Sequence, residues 1–322
     1  DFHQKCISFG RTEPVKVVDR NSITALSTPG VVFHPGPNIC QPAYYRAMSK
    51  GNIAWSLCGI THTTASAGVM DTISNFLTAP IQPWDALICT SKAVKANVQC
   101  LLQAKVDYLK DRLGITKFSL PQLPIIPLGI HTDDFAFSQT EKDNARIELG
   151  IKQDAIVVLF MGRLSFHAKA HPIAMYKALE NAVRITKKEV VLIECGWHAN
   201  ESISNAFSEA SSSICPNVQT KFLDGRSSKN RKIAWSSADI FSSLSDNFQE
   251  TFGITPIEAM ASGLPVVVSD WDGYRDSVRH GVDGYLVPTK MPLNGLGVDL
   301  ALRHAFSIDN YDMYCGHTSS FI

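Results

Sequence analysis

The sequence predicts an α/β protein of two domains, each built on a parallel sheet, and three observations lead there. The chain has 322 residues, which suits two domains at about 150 residues each. Its hydrophobic share is 45% and its charged share 19%, a balance that supports substantial cores and argues against disorder. Short apolar runs then alternate with helical patterns along the chain, as strands buried on both faces of a parallel sheet do.

The elements follow in order. "GVVFHPGP" (30–37) reads as a strand ending in a turn, "QPAYYRAMSKG" as a short helix, and "NIAWSLCGITHT" and "WDALICTS" as buried strands. A longer helix runs from Lys92 through "VDYLKDRLG", with Gly114 as its stop. The proline-rich "LPQLPIIPLGIHTDDF" (120–135) breaks periodicity and is the best linker, so the first domain is placed at 1–136. The second, 137–290, restarts with the strand "AIVVLFMGRL" (155–164) and the helix "HPIAMYKALENAVRI". The strand "EVVLIECG", a polar stretch with a helix, "VQTKFLDG", "ADIFSSLS", the helix "TPIEAMASG" and "LPVVVSD" complete it. The Ser-rich patch "SSSICP" reads as loop, and 291–322 as a tail or helix. There is no internal repeat.

Charge and cysteine usage narrow the function. Lys plus Arg and Asp plus Glu are 30 each, so no overall field draws the chain to nucleic acid or to an anionic membrane. The eight cysteines form no C-x-x-C pair and several sit in apolar runs, which suits buried thiols in a reducing compartment. No apolar run approaches the roughly 20 residues of a membrane helix, and the opening "DFHQKCISFG" has no signal-peptide pattern. A cytoplasmic protein is expected.

In parallel α/β sheets ligands bind beyond the carboxyl ends of the strands, so the residues just after each strand carry most of the functional information. "QETFGITPIEAMASGLPVVVSD" (249–270) places Glu250 and Glu258 around a glycine and a proline. One reading is structural: Thr255 caps a helix, Pro256 opens it and Glu258 closes a capping box. The other is a binding site, since Gly253 lets the backbone approach a ligand and a helix N-terminus suits a phosphate. A carboxylate in that turn can also accept from a ribose diol. "FMGRLSFHAK" puts Arg163 and Lys169 after the first strand of the second half, where two cations suit a diphosphate; a solvated basic loop is the alternative.

The ordered blocks "GRL…K" and "ETFGITPIEAMASGLPVVVSDWDGYRDSVRHGVDGYLV" closely resemble the donor-binding half of retaining glycosyltransferases of family 4. "GITHTTAS", "ICTSKAV" and "PLGIHTDDF" extend the resemblance over most of residues 53–290. It implies a GT-B fold, two Rossmann-like parallel-sheet domains facing each other across a cleft. The E-x7-E signature falls on Glu250 and Glu258, and the Gly-Arg and Lys positions on Gly162, Arg163 and Lys169. By that resemblance Glu258 holds the donor ribose, and Arg163 and Lys169 neutralise the diphosphate. Glu250 lies near the sugar, with Phe252, Gly253, Ile254 and Thr255 lining the donor site. His62, otherwise a core or loop histidine, faces the same sugar. The implied reaction moves a sugar from a UDP-, GDP- or ADP-sugar to a hydroxyl of a glycan, lipid or small molecule, with retention; a lipid acceptor would bring peripheral membrane contact. A relative that binds nucleotide sugar or glycan without turnover is the alternative, and a two-carboxylate glycosidase fits the basic residues less well.

The chain also departs from the family pattern. Its first domain is expected to be shortened at its start, Thr251 replaces the usual glycine after the first Glu, and Asp276 stands where Glu is more usual. Asp270-Trp271-Asp272 has the D-x-D spacing of metal-dependent transferases of a different fold, but at a position GT-B enzymes do not use for metal. No cofactor and no metal are expected.

Overall fold

The computed structural model describes residues 2–166, 169, 171–290, 297–310 and 313–314. The chain divides into two compact units. The first comprises Asp1–Thr61, Gly68–Ile88 and Gln99–Pro124; the second comprises His62–Ala67, Cys89–Val98 and Ile125–Ile322.

The first unit holds three parallel strands, β1 (Val31–Phe33), β2 (Ser56–Ile60) and β3 (Ala86–Ile88), in that spatial order, with Val32 opposite Leu57 and Gly59 opposite Leu87. Helices α1 (Phe2–Ser8), α2 (Cys40–Ser49) and α3 (Ala67–Ser74) accompany them. α4 (Lys92–Leu113) ends at Gly114, whose φ of 65° is the left-handed stop expected there. Ile39, Ala43, Leu57, Ile73, Phe76 and Leu87 are fully or almost fully buried. Among them lies an ion pair with both side chains at 0% exposure: Arg46 donates to both Asp85 oxygens at 2.6 and 2.7 Å. Asp85 also accepts from the Leu57 and Gln82 amides, and Arg46 donates to the Trp55 and Pro80 carbonyls. Burial of both charges is tolerable because nearly every polar atom is satisfied.

The second unit holds six parallel strands: β4 (Ile156–Met161), β5 (Val190–Gly196), β6 (Gln219–Asp224), β7 (Ile240–Ser243), β8 (Val266–Ser269) and β9 (Gly284–Val287). Their spatial order is β6-β5-β4-β7-β8-β9, a doubly wound sheet whose order reverses between β4 and β7. The helices are α5 (Gln139–Glu148), α6 (Ile173–Thr186), α7 (Glu201–Ile214), α8 (Ser228–Ser237), α9 (Ile254–Ala261), α10 (Tyr274–Ser277) and α11 (Val298–Ala305).

Period-two alternation explains why β4 is apolar throughout. Val157, Leu159 and Met161 enter one core with Trp235, Phe241 and Tyr274, while Val158 and Phe160 enter another with Tyr176 and Phe207. Both faces of β4 are covered, so its side chains are apolar on both.

Several local readings change. The patch "SSSICP" is not loop: Ser211, Ser212 and Ser213 lie in α7, where their hydroxyls donate to carbonyls three or four residues back, at Ser208 and Ala210. The proline-rich stretch is partly paired, with Gln122 bridging Ala86 and Ile125 bridging Cys89. A capping box does occur, at Ser138 and Glu141 before α5, rather than at Thr255. Of the tail, 291–296 and most residues past 310 lie outside the described residues. No described helix is long and apolar enough to cross a membrane.

Candidate functional site at the strand-order reversal

Where strand order reverses, the loops after β4 and β7 leave the sheet in opposite directions and open a crevice at its carboxyl edge. Both sequence-predicted clusters leave from these two strands. After β4 come Gly162, Arg163 and Lys169; after β7 come residues 244–253, including Glu250. The structure joins them: the Lys169 ammonium lies 2.8 Å from Glu250 Oε2, with the Glu250 side chain 8% exposed. Loops 81 residues apart in sequence therefore meet through one charge pair. Arg163 is exposed, and among the described residues no hydrogen bond or ion pair holds its guanidinium.

The Glu250 loop is held on several sides. The Glu250 amide donates to the Asn247 carbonyl at 3.0 Å, and Trp271 Nε1, from the loop after β8, donates to the same carbonyl at 3.1 Å. Thr251, at the usual glycine position, donates its hydroxyl to the His62 carbonyl at 3.0 Å. The segment bearing His62 is thereby tied beside Glu250, with the His62 side chain exposed.

α9 begins two residues before the sequence reading placed it. Its N-cap is Gly253 at φ 72°, with no side-chain cap, so Thr255 is the second helical residue and the capping-box reading of Glu258 falls. Glycine is required there twice over: φ lies in the left-handed region, and a Cβ would sit 1.8 Å from Tyr274 Cε1. The uncapped start leaves the Gly253, Ile254 and Thr255 N–H groups without intrahelical partners, and Pro256 has none to satisfy. Phe252 is buried beneath this turn and Ile254 is exposed. Glu258, one turn further on, is half-buried, and no hydrogen bond reaches its carboxylate among the described residues. Burial raises its pKa, and the charge of Arg231 offsets part of that.

Sequence reasoning did not select a cavity that opens next to the β4 loop. A pocket of about 400 Å³ opens beyond β4, β5 and β6, lined by Leu164, Gly196, Trp197, His198, Asp224 and Arg226. Gly196 lets two backbones approach there: a Cβ on it would lie 1.9 Å from the Gly162 carbonyl oxygen. Trp197 and His198 directly follow β5, so the rule that selected Arg163 would have selected them had it been applied to every strand. Asp270, first residue of the D-x-D triplet, is ion-paired with Arg275 at 2.8 Å. Among the described residues no group of three or more His, Cys, Asp or Glu is placed to hold a metal ion.

Residues 141–293 match the family model of glycosyl transferases group 1. An uncharacterized glycosyltransferase of Methanocaldococcus jannaschii is 26% identical over 276 residues, 82% of this chain and 61% of that protein. A D-inositol 3-phosphate glycosyltransferase of Xylanimonas cellulosilytica is 26% identical over 235 residues, 70% of this chain and 54% of that protein. The chain thus spans little more than half the length of these relatives. Among solved structures, Anabaena HepE in complex with UDP superposes with a TM-score of 0.62 at 15% identity, covering 94% of this chain and 76% of HepE. The two parallel-sheet α/β units accordingly share the GT-B glycosyltransferase fold.

Proposed function

We propose that the chain is a retaining glycosyltransferase of family 4 that moves a sugar from a nucleoside-diphosphate sugar to an acceptor hydroxyl. The observation that carries this reading is the Lys169–Glu250 pair at the strand-order reversal, beside the uncapped start of α9. A cation, an exposed arginine on the same loop and free helical N–H groups are what a diphosphate requires. The HepE structure, similar in fold, carries UDP, which supports the same ligand class here.

In this reading the nucleoside occupies the pocket beyond β4–β6, and Glu258 accepts from the ribose diol. Lys169 and Arg163 face the diphosphate, with Lys169 exchanging its Glu250 partner for a phosphate oxygen. Glu250 and the backbone of Phe252, Gly253 and Ile254 then address the sugar, with His62 beside it. The anomeric C–O bond breaks with its electron pair leaving on the diphosphate. The acceptor oxygen bonds to the same face of the anomeric carbon, and its proton passes to the departing phosphate oxygen. The charge is met by side chains and backbone, without a resident metal. Preorganised donors of this kind act in proportion to the charge that develops, and losing one typically costs on the order of a hundredfold in rate. Inositol phosphates lead the acceptor panel, given the relative named for that substrate.

The test is a thermal-shift panel of UDP, GDP, ADP and their sugar conjugates on wild type and Glu258→Ala. A ligand bound by the native state alone adds about 2.7 kcal/mol at a hundredfold excess over Kd. A shift for one nucleotide that the substitution reduces supports the reading. Absence of any shift in wild type sinks it. Retention is checked by the anomeric configuration of the first product formed.

A further inference from the structure

Asp272 has a backbone conformation that a residue with a side chain adopts only at a cost. Three non-glycine residues among those described have positive φ: Lys187, Asp272 and Ser307. Lys187 is the C-cap of α6 and Ser307 follows α11, places where a left-handed residue commonly ends a helix. Asp272, at φ 41°, ends no helix; it precedes α10. Its conformation is imposed by its neighbours. Trp271 is hydrogen-bonded to the Asn247 carbonyl, and a Cβ on Gly273 would lie 2.5 Å from Phe252 Cα. The Tyr274 hydroxyl meets Ser243 Oγ at 3.1 Å in the core. Residues 271–274 are thus clamped against the strand and loop that carry Glu250. Strain held in this way is commonly kept where it aims a functional group.

The Asp272 carboxyl is weakly satisfied by the protein. Its side-chain partner is Ser91 Oγ at a long 3.4 Å, and that hydroxyl also accepts from the Val94 amide. Burial first, and the charge of Glu250 second, push Asp272 up to about 7, against the pull of the Gly273 amide, Ser91 and Arg275. Glu250 accepts from Lys169, whereas a carboxyl raised toward neutrality can donate as well as accept, so the two can address adjacent hydroxyls differently.

We propose that Asp272 is a specificity-determining residue of the sugar subsite, hydrogen-bonding a hydroxyl of the transferred sugar next to the part engaged by Glu250. This rests on the glycosyltransferase reading above. The contacts proposed for the nucleoside and diphosphate do not include it, so its effect is expected on the sugar.

The experiment compares wild type, Asp272→Gly and Asp272→Asn by calorimetric titration with UDP and UDP-glucose, and with GDP and GDP-mannose. Glycine accepts the left-handed conformation, so Asp272→Gly removes the carboxyl while relaxing the backbone, and its melting temperature is expected not to fall. The expected result is an unchanged Kd for the free diphosphate and about tenfold weaker binding of the sugar conjugate, the size of one lost hydrogen bond to sugar. Asp272→Asn, which keeps a donor and an acceptor, should recover most of that loss. Discrimination between UDP-glucose and UDP-galactose should narrow in Asp272→Gly. Equal weakening of diphosphate and conjugate would show a purely structural role and overturn the proposal, as would no change in either. Failure of wild type to bind any nucleotide would instead remove the glycosyltransferase reading, and this proposal with it.

Discussion

Glu194 sits in the middle of β5 at 1% exposure, hydrogen-bonded by the Tyr176 hydroxyl at 2.8 Å, and the proposed reaction does not use it. Burial pushes its pKa up to about 7 from the ordinary 4.5, and the Tyr176 hydrogen bond recovers only part of the cost. The folded state therefore holds a proton between these two values that the unfolded state has released. Stability from this group is fully present below about 4.5 and is lost as pH rises through about 7. At about 1.36 kcal/mol per pH unit, the full loss is on the order of 3 kcal/mol above pH 8. Glu194→Gln keeps the shape and a hydrogen bond to Tyr176 but cannot ionise. It should match wild type within about 0.5 kcal/mol near pH 4.5 and exceed it by about 3 kcal/mol at pH 8.5. Urea unfolding of the second unit, followed by hydrogen exchange in the β4 and β5 peptides, measures the difference at each pH. A difference that does not change with pH would refute the reasoning, because it would mean that Glu194 titrates alike in both states.

Three other predictions test the site and its scaffold. Lys169→Gln removes the partner of a buried Glu250 and one of two cations proposed to face the diphosphate; kcat/KM is expected to fall on the order of a hundredfold, and a loss below threefold would count against the assignment. Gly253→Ala should cost about 2–4 kcal/mol, since the methyl meets the Tyr274 ring as well as an unfavourable φ. Gly263→Ala is the control, at φ 74° with nothing within 4 Å, and should cost only about 1–2 kcal/mol; equal melting temperatures for the two variants would discredit the clash argument. Asp85→Asn breaks the buried pair with Arg46 and should destabilise the first unit by about 3–5 kcal/mol in chemical denaturation.

Most of the strands could be read from the chain, because an apolar run of "VVLF" or "VVLI" has only one use in a sheet covered on both faces. The stop of α4 at Gly114 was equally legible. Helix starts were less so. Ser138-Gln-Thr-Glu141 carries the same S/T-x-x-E spacing as Thr255-Pro-Ile-Glu258, yet only the first is a capping box. The second was excluded by Gly253, whose left-handed turn over the Tyr274 ring starts the helix earlier. Arg46 looks like any arginine on a short helix, and only Asp85, 39 residues later, makes it a core residue.

The sequence by itself determined the two parallel-sheet units, the order of most elements and the loops that carry Arg163, Lys169 and Glu250. These follow from periodicity and from turn residues, which act over a few positions. Tertiary structure alone decided that Lys169 pairs with Glu250, that Thr251 holds the His62 segment and that Asp272 takes a left-handed conformation within reach of the Glu250 charge. Such contacts depend on which loops the sheet order brings together, and neither charge nor propensity at one position carries that information.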